Sequence, residues 1–242
     1  MPSNKLNIGL IGYGKMGKTI EKLAIGKNHN ILLRISSSNV LELNVQNLKQ
    51  LDVAIEFTNP HAAAKNLEIL ANNKIPTVCG STAWLDDYDR ICELFKTNET
   101  PFLYASNFSV GVNLFYKVNK YLADIMNKFP GYDVQMEEIH HLEKKDAPSG
   151  TAVTLADQIL DKVERKEKWV NTQGLNNKEL EIVSLREADV KGTHTVNYTS
   201  KVDEISISHK AHTREGFAKG AILASEWIQG KQGVFTFADI LE

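Results

Sequence analysis

Up to about residue 107 the chain alternates short apolar runs with stretches whose apolar residues recur every three or four positions. Leu6 to Ile11, Ile31 to Ile35, Asp52 to Phe57, Ile75 to Cys79 and Phe102 to Ala105 are short and densely apolar, and they read as buried strands. Between them lie three predicted helices. Met16, Ile20, Leu23 and Ala24 carry the helical spacing of the first, His61 to Asn72 follows a start at Thr58-Asn59-Pro60, and Asp86 to Lys96 is the third. Strand and helix in regular turn form the rhythm of a parallel sheet covered on both faces. A longer amphipathic helix follows, with Leu114, Val118, Tyr121, Leu122, Ile125 and Phe129 as its predicted apolar side, ending before Pro130-Gly131.

Beyond Gly131 strands dominate. Tyr132 to Ile139, Leu180 to Leu185, Thr193 to Ser200 and Asp203 to His209 are the expected strands, separated by one helix over 151–166 and a polar loop over 167–178. The alternation of Ile205 and Ile207 with Ser206 and Ser208 predicts a sheet with one buried face and one face free to pair with another subunit. Arg214 to Ile228, with Phe217, Ala221, Ala224 and Ile228 on its apolar side, is expected to return to the first domain and close the chain.

Composition narrows the class of ligand. The 242 residues suffice for two domains with a substantial core, and 28 Lys and Arg against 30 Asp and Glu is a near balance. That balance argues against a nucleic-acid or membrane-surface partner and for a small molecule. Cys79 and Cys92, the two cysteines, fall in predicted buried segments, so the expected compartment is reducing. Met1-Pro2-Ser3-Asn4-Lys5 leads directly into the first strand with no apolar signal core, and no apolar run reaches the length of a membrane span. The expected location is the cytoplasm. No internal repeat or low-complexity tract is evident.

Gly12-Tyr13-Gly14-Lys15-Met16-Gly17 is a GxGxxG sequence between a strand and a helix, the context in which glycines let the backbone approach a pyrophosphate. An NAD site usually follows its second strand with an acidic residue; here the chain reads Ser36-Ser37-Ser38-Asn39. Hydroxyls neither repel nor strongly bind a 2′-phosphate, and Lys15 and Arg34 are the cations that could face one, so the reading leans toward NADPH without excluding NADH. The expected fold is α/β: a Rossmann-type parallel-sheet domain plus a second α+β domain with an open mixed sheet used in oligomerisation. Residues 1–108 with 213–242 are assigned to the dinucleotide-binding domain, and 109–212 to the substrate-binding and oligomerisation domain.

A second concentration of chemistry lies at His140-His141-Leu142-Glu143-Lys144-Lys145-Asp146-Ala147-Pro148-Ser149-Gly150-Thr151. Adjacent histidines on a strand point to opposite faces, so one of the pair faces a ligand and the other acts from the strand end. Ser149 is the expected N-cap of the helix marked by Ala152, Ala156, Ile159, Leu160 and Val163. Unpaired amides at that helix start, with Lys144 and Lys145 before it, suit a carboxylate or phosphate. Glu137 and Glu138 could orient His140 or be an ordinary acidic pair. His61, His194, His209 and His212 are scattered without metal-ligand spacing and read as capping or hydrogen-bonding residues, so no metal is expected.

Glu138-Ile139-His140-His141, Lys144 and Asp146-Ala147-Pro148-Ser149-Gly150-Thr151-Ala152 resemble the signature of the dihydrodipicolinate reductases, properly 4-hydroxy-tetrahydrodipicolinate reductases. Gly12 to Gly17, Phe57-Thr58, Gly80-Ser81-Thr82, Ser106 to Asn113, Gly192-Thr193-His194 and His209-Lys210-Ala211 follow in the family's order, so the likeness spans essentially the whole chain. It implies reduction of a cyclic imine dicarboxylate to tetrahydrodipicolinate with NADPH or NADH, on the route to diaminopimelate and lysine, by a homotetramer paired through the second domain's sheet. It implies His140 as proton donor or acceptor and Lys144 as its catalytic partner, with His141, Ser149, Gly150 and Thr151 holding the substrate. Cofactor contacts are implied at Gly12, Gly14, Lys15, Met16, Gly17, Ser36, Phe57, Gly80, Thr82, Ser106, Phe108, Arg214 and Phe217. The chain departs from the family at Ser36, where many members are acidic, at Ser81 in place of a threonine, and at Ser106 in place of Ala or Pro. Another NAD(P)-dependent amino- or hydroxy-acid dehydrogenase would share the glycine turn without needing His140, Lys144 and the 148–151 anion site together. A non-catalytic dinucleotide-binding sensor would need none of the second cluster.

Overall fold

The computed structural model describes residues 5–172 and 176–242. It divides into two compact units, Met1–Val110 with Glu215–Glu242, and Gly111–Arg214. The sequence start at residues 1–4 and positions 173–175 of the predicted polar loop lie outside the described residues.

The first unit is a six-stranded sheet in the order β11-β5-β4-β3-β1-β2, parallel throughout. Its strands are β1 (Asn7–Ile11), β2 (Asn30–Ile35), β3 (Val53–Glu56), β4 (Thr77–Cys79), β5 (Phe102–Tyr104) and β11 (Val234–Thr236). Every residue of β3 is buried, as a strand covered on both faces requires. One face packs Ile8, Leu10, Val53 and Ile55 against α1 (Lys15–Gly26) and α7 (Glu215–Trp227). The other packs Ile11, Ala54 and Phe102 against α3 (Pro60–Asn72) and α4 (Tyr88–Thr97), with the short α2 (Val45–Leu48) contributing Leu48. Asn59 caps α3, its side chain accepting the N–H groups of His61 and Ala62, with Pro60 at the first helical position where its missing N–H costs nothing. The edge strand β11 was not among the predicted strands, because three residues are too few to establish a period.

The second unit is a five-stranded mixed sheet in the order β10-β9-β6-β8-β7. Its strands are β6 (Asp133–His140), β7 (Lys168–Val170), β8 (Glu179–Arg186), β9 (Thr193–Thr199) and β10 (Glu204–Lys210). β6 runs antiparallel to β9 and parallel to β8. Val134, Met136, Ile182, Val196 and Tyr198 turn toward α5 (Val110–Asn127) and α6 (Gly150–Lys162) to make one core, while alternate positions form the open face.

Three expectations need correction. The predicted polar loop 167–178 contains β7, three residues pairing with the edge of β8. Ile205, expected on the buried side of β10, is 40 % exposed because it stands on an edge strand beyond the cover of the helices. The apolar side assigned to α5 is largely the wrong one. Leu114, Val118 and Tyr121 face outward, Tyr121 at 71 % exposed, and Val112, Phe115, Asn119, Ala123 and Met126 are buried. α5 is apolar around most of its circumference, so the pattern offered two stripes and packing selected the one carrying an asparagine. Asn119 Nδ2 donates to the Leu155 carbonyl (3.1 Å) and Gln158 Oε1 (3.0 Å) on α6, tying the two helices together. Asn119→Ala should lower unfolding free energy by about 2 kcal/mol through the lost hydrogen bonds and the void left behind. Urea unfolding checks this, and an unchanged midpoint would contradict it.

Candidate active site

In the first unit, β1 runs directly into Gly12, whose N–H and that of Tyr13 donate to the Ile35 carbonyl at the end of β2 (2.9 and 2.8 Å). Gly12 has φ +104°, and a Cβ there would overlap the Phe57 carbonyl. Only glycine fits both demands. A cleft of about 590 Å³ opens at this point, lined by Gly12, Tyr13, Gly14, Ser36, Phe57 and Thr58 among others. It lies at the carboxyl ends of β1, β2 and β3, where the chain switches from one side of β1 to the other, the usual ligand crevice of such sheets. Gly14 precedes α1 without a side-chain cap, leaving first-turn amides for an anion, and Lys15 is exposed beside them. Gly17 is buried and Met16 half-buried against the core.

The remaining predicted cofactor residues fall into two groups. Gly80 packs against the Phe57 ring, while Thr82 and Ser106 are exposed on the turns after β4 and β5. Phe108 is buried, its ring 5.5 Å from that of Phe57, so only its main chain is left to meet a ligand. Phe217 is half-buried on α7 in this unit, and Arg214 belongs to the second.

Arg34, expected as a cation for a 2′-phosphate, is already engaged. Its Nε donates to Glu21 Oε1 (2.8 Å), its terminal nitrogen pairs with the same oxygen, and Tyr13 Oη donates to the other. Arg34 and Tyr13 hold the Glu21 carboxyl below its usual value. The turn after β2 is similarly self-satisfied: Ser36 N–H and Oγ both donate to Asn39 Oδ1. A fully buried carboxylate stabilises the neighbouring turn. Glu56, at the end of β3, accepts the Thr58 N–H (3.2 Å), the Thr58 hydroxyl and the Cys79 thiol (3.3 Å), while Ser81 Oγ accepts the Thr58 N–H as well (2.7 Å).

The second unit places its chemistry at the end of β6. Glu138 and His140 lie two residues apart on the helix-covered face, and strand register sets His194 of β9 opposite Glu138 and Arg186 of β8 opposite His140. Glu138 has no exposed surface. It accepts the Ser149 N–H at both oxygens (3.0 and 3.1 Å) and the Ser184 hydroxyl (2.9 Å). His140 Nε2 is 3.4 Å from its Oε2 and His194 Nε2 is 3.7 Å from the same atom. Burial opposes ionisation of Glu138, yet these hydrogen bonds hold its carboxyl well below the usual carboxylate range. Burial pushes the His194 imidazole down, with Glu138 opposing that and the charges of His140 and Lys144 adding to it.

Ser149 is the N-cap of α6, its Oγ accepting the Ala152 N–H (3.2 Å) and lying 3.1 Å from His194 Nε2. The expectation that all amides at this helix start stand unpaired therefore needs correction, since the N–H of Ser149 and that of Ala152 are taken. Gly150 and Thr151, at the first two helical positions, have no acceptor within the helix. His141 follows β6 half-buried and accepts the Lys144 N–H (3.1 Å) in a turn. Lys144 Nζ is bound to Asp146 at 2.8 and 2.7 Å, and Arg186 anchors the same loop through the carbonyls of Lys144 (3.3 Å) and Asp146 (2.7 Å).

His194, expected as a capping or hydrogen-bonding histidine, does hydrogen-bond, to Ser149 and His140, and those bonds place it inside the candidate site. Its partners come from another strand, so no local spacing announces them; only its place after Gly192-Thr193 in the resemblance pointed to it. Arg186 and Ser184 carried no sequence signal, being ordinary polar residues of a strand. Of the two readings left open for Glu138, the structure selects the one that sets it against His140. Ligating atoms of Glu138, His140 and His194 lie within 4.8 Å of one another, near enough to hold a metal ion, but Ser149 and Ser184 already occupy the carboxylate.

Residues 6–108 match the family model for the dihydrodipicolinate reductase N-terminus, and residues 111–241 match that for its C-terminus. The chain belongs to the dihydrodipicolinate reductase family. A 4-hydroxy-tetrahydrodipicolinate reductase of Christiangramia forsetii is 44% identical over 236 residues, 98% of each chain. One of Methanosarcina mazei is 36% identical over 243 residues, 97% of this chain and 88% of the relative. Among solved structures, dipicolinate-bound dihydrodipicolinate reductase from Paenisporosarcina sp. TG-14 superposes with a TM-score of 0.81 at 20% identity, covering 98% of this chain and all of that one (100%). An apo scyllo-inositol dehydrogenase from Lactobacillus casei shares the broader fold, with a TM-score of 0.60 at 12% identity, covering 100% of this chain and 93% of that one.

In this family member the Glu138 network has a consequence for acid stability. A carboxyl depressed by folding stabilises the protein fully above the unfolded glutamate pKa, about 4.3, and that contribution is lost as pH falls through the lower folded value. Glu138→Gln should flatten the fall in stability below about pH 4.3. Urea midpoints measured across pH test this; parallel slopes for the two proteins would contradict it.

Proposed function

We propose that the chain acts as a 4-hydroxy-tetrahydrodipicolinate reductase, an NAD(P)H-dependent oxidoreductase of diaminopimelate and lysine biosynthesis that reduces a cyclic imine dicarboxylate to tetrahydrodipicolinate. The observation that carries this reading is the meeting of His140, Lys144 and the start of α6 at the end of one strand, in a chain whose family is that of the reductases. The glycine turn that no Cβ could enter, the cleft beside it and the open first turn of α1 fit a dinucleotide. Gly12, Gly14, Lys15, Met16 and Gly17 would hold its pyrophosphate side and Ser36 its ribose, with Phe57, Gly80, Thr82, Ser106, Phe108, Arg214 and Phe217 completing the contacts. When bound, NADPH or NADH supplies the hydride.

The chain's own residues do the rest. The free amides of Gly150 and Thr151, with Lys144 and His141, receive the substrate's two carboxylates. Lys144 exchanges Asp146 for a substrate carboxylate, so its charge stays paired throughout. Ser149 contributes by fixing the helix start, its hydroxyl and N–H being engaged within the protein. Reduction of a conjugated C=N ring leaves electron density on a neighbouring ring atom, and His140 donates the proton that atom takes up.

The open sheet face, with Gln135, Glu137, Thr195, Asn197, Ser206 and Ser208 alternating outward, supports assembly of copies into a homotetramer. Light scattering on the purified protein should give about four times the chain mass of 27.1 kDa, and a monomer would overturn this assembly. No helix among the described residues is long and apolar enough to cross a membrane, and both cysteines are buried and free, in keeping with work in the cytoplasm.

The test of function is the fall in absorbance of NADPH, and separately of NADH, when substrate is generated in place from pyruvate and aspartate semialdehyde by the preceding synthase. Oxidation should require every component. His140→Gln should lower kcat roughly a hundredfold or more with dinucleotide affinity near normal. Lys144→Ala should raise the substrate KM as well as lower the rate. No oxidation by folded protein that binds dinucleotide would overturn the reading.

A further inference from the structure

We propose that Glu138 and His194 are positioning residues that pin His140 by its Nε2, so that Nδ1 is the atom delivering a proton to the substrate. This rests on His140 being the proton donor of the proposed reductase. The carboxylate of Glu138 is ionised, and an ionised carboxylate can only accept. The His140 nitrogen turned toward it, Nε2 at 3.4 Å, therefore carries hydrogen. His194 Nε2, 3.3 Å from His140 Nε2 and 3.7 Å from the carboxylate, stands on the same side as a second acceptor for that hydrogen.

The carboxylate itself has little freedom to move. Ser149 N–H bridges its two oxygens from the start of α6, Ser184 Oγ donates from β8, and Arg186 stands 3.7 Å away. His194 completes the set from β9, buried, with its Nδ1 sealed away without a partner. Its polar contacts are all made through Nε2, to Ser149, His140 and Glu138.

The opposite edge of the His140 ring is kept clear. Its Nδ1 has no hydrogen-bond partner among the described residues and, unlike His194 Nδ1, is not sealed from solvent. Gly192 passes this edge with φ +149°, and a Cβ there would stand 3.0 Å from His140 Cε1 and 3.4 Å from Nδ1. A larger residue would both strain the backbone and crowd the reacting edge.

The proton balance follows from this placement. In the imidazolium both nitrogens carry hydrogen. The Nδ1–H bond breaks, its electron pair stays on Nδ1, and the proton bonds to the electron-rich ring atom of the substrate. His140 is left as the neutral Nε2–H tautomer, the one Glu138 accepts from, and water returns the Nδ1 proton afterwards.

Nitrogen-15 NMR of the histidine-labelled, ligand-free protein reads the tautomer without turnover. Neutral His140 should be Nε2–H in the wild type and a mixture of tautomers in His194→Leu. The same variant should lose about tenfold or more in kcat with NADPH affinity unchanged. His194→Asn, whose amide oxygen can still accept from His140 Nε2, should recover part of both. A wild-type Nδ1–H tautomer would overturn the proposal whether or not His194→Leu folds. So would wild-type tautomer and kcat in a folded His194→Leu. Since the tautomer needs no substrate, failure of the reductase assignment and failure of this one are told apart.

Discussion

A carboxylate with no exposed surface must be supplied with donors or give up its charge, and Glu138 is supplied from three directions. Ser149 reaches it from the start of α6, Ser184 from β8, and His140 from its own strand, with His194 of β9 set against His140. Hydrogen bonds to a charged acceptor contribute about 1.5–3 kcal/mol each, and an unpaired buried charge costs several kcal/mol. Any arrangement of the second sheet that misplaced one of these segments would leave the carboxylate short. The register of three strands and the docking of a helix start are thereby coupled to one side chain.

The first unit uses the same device on a smaller scale. Glu56 closes β3, the strand beside β1 at the switch of the sheet, and gathers the Thr58 turn and the Cys79 thiol around it. In both units a buried glutamate at or near the carboxyl end of a central strand holds a neighbouring turn or helix start. A sheet's carboxyl edge presents open backbone and short turns, which are poorly held by apolar packing. Directed hydrogen bonds to a buried carboxyl group fix their geometry where packing alone would leave play.

The two ion pairs near the candidate sites differ in exposure. Arg34 is committed to Glu21 and Tyr13, with Glu21 only 16% exposed at its side chain. Lys144 is paired with Asp146, which is 59% exposed at its side chain, so water screens this pair and holds it weakly.

Periodicity in the sequence determined the alternating parallel-sheet unit, the glycine turn and the capped helix at Ser149, because each depends on residues close together in the chain. The residues of the candidate site at His140, Lys144 and Ser149 to Thr151 were legible for the same reason, helped by a resemblance that spans the chain. The buried side of α5 was not legible, since a helix apolar around most of its surface offers more than one stripe and only its neighbours choose between them. Nor were the strands β7 and β11, whose three residues exist as strands only through a partner. His194 and Arg186 entered the site through strand register, which joins residues about fifty positions apart by hydrogen bonds between backbones. Local spacing carries no trace of such pairing, and tertiary structure alone decided it.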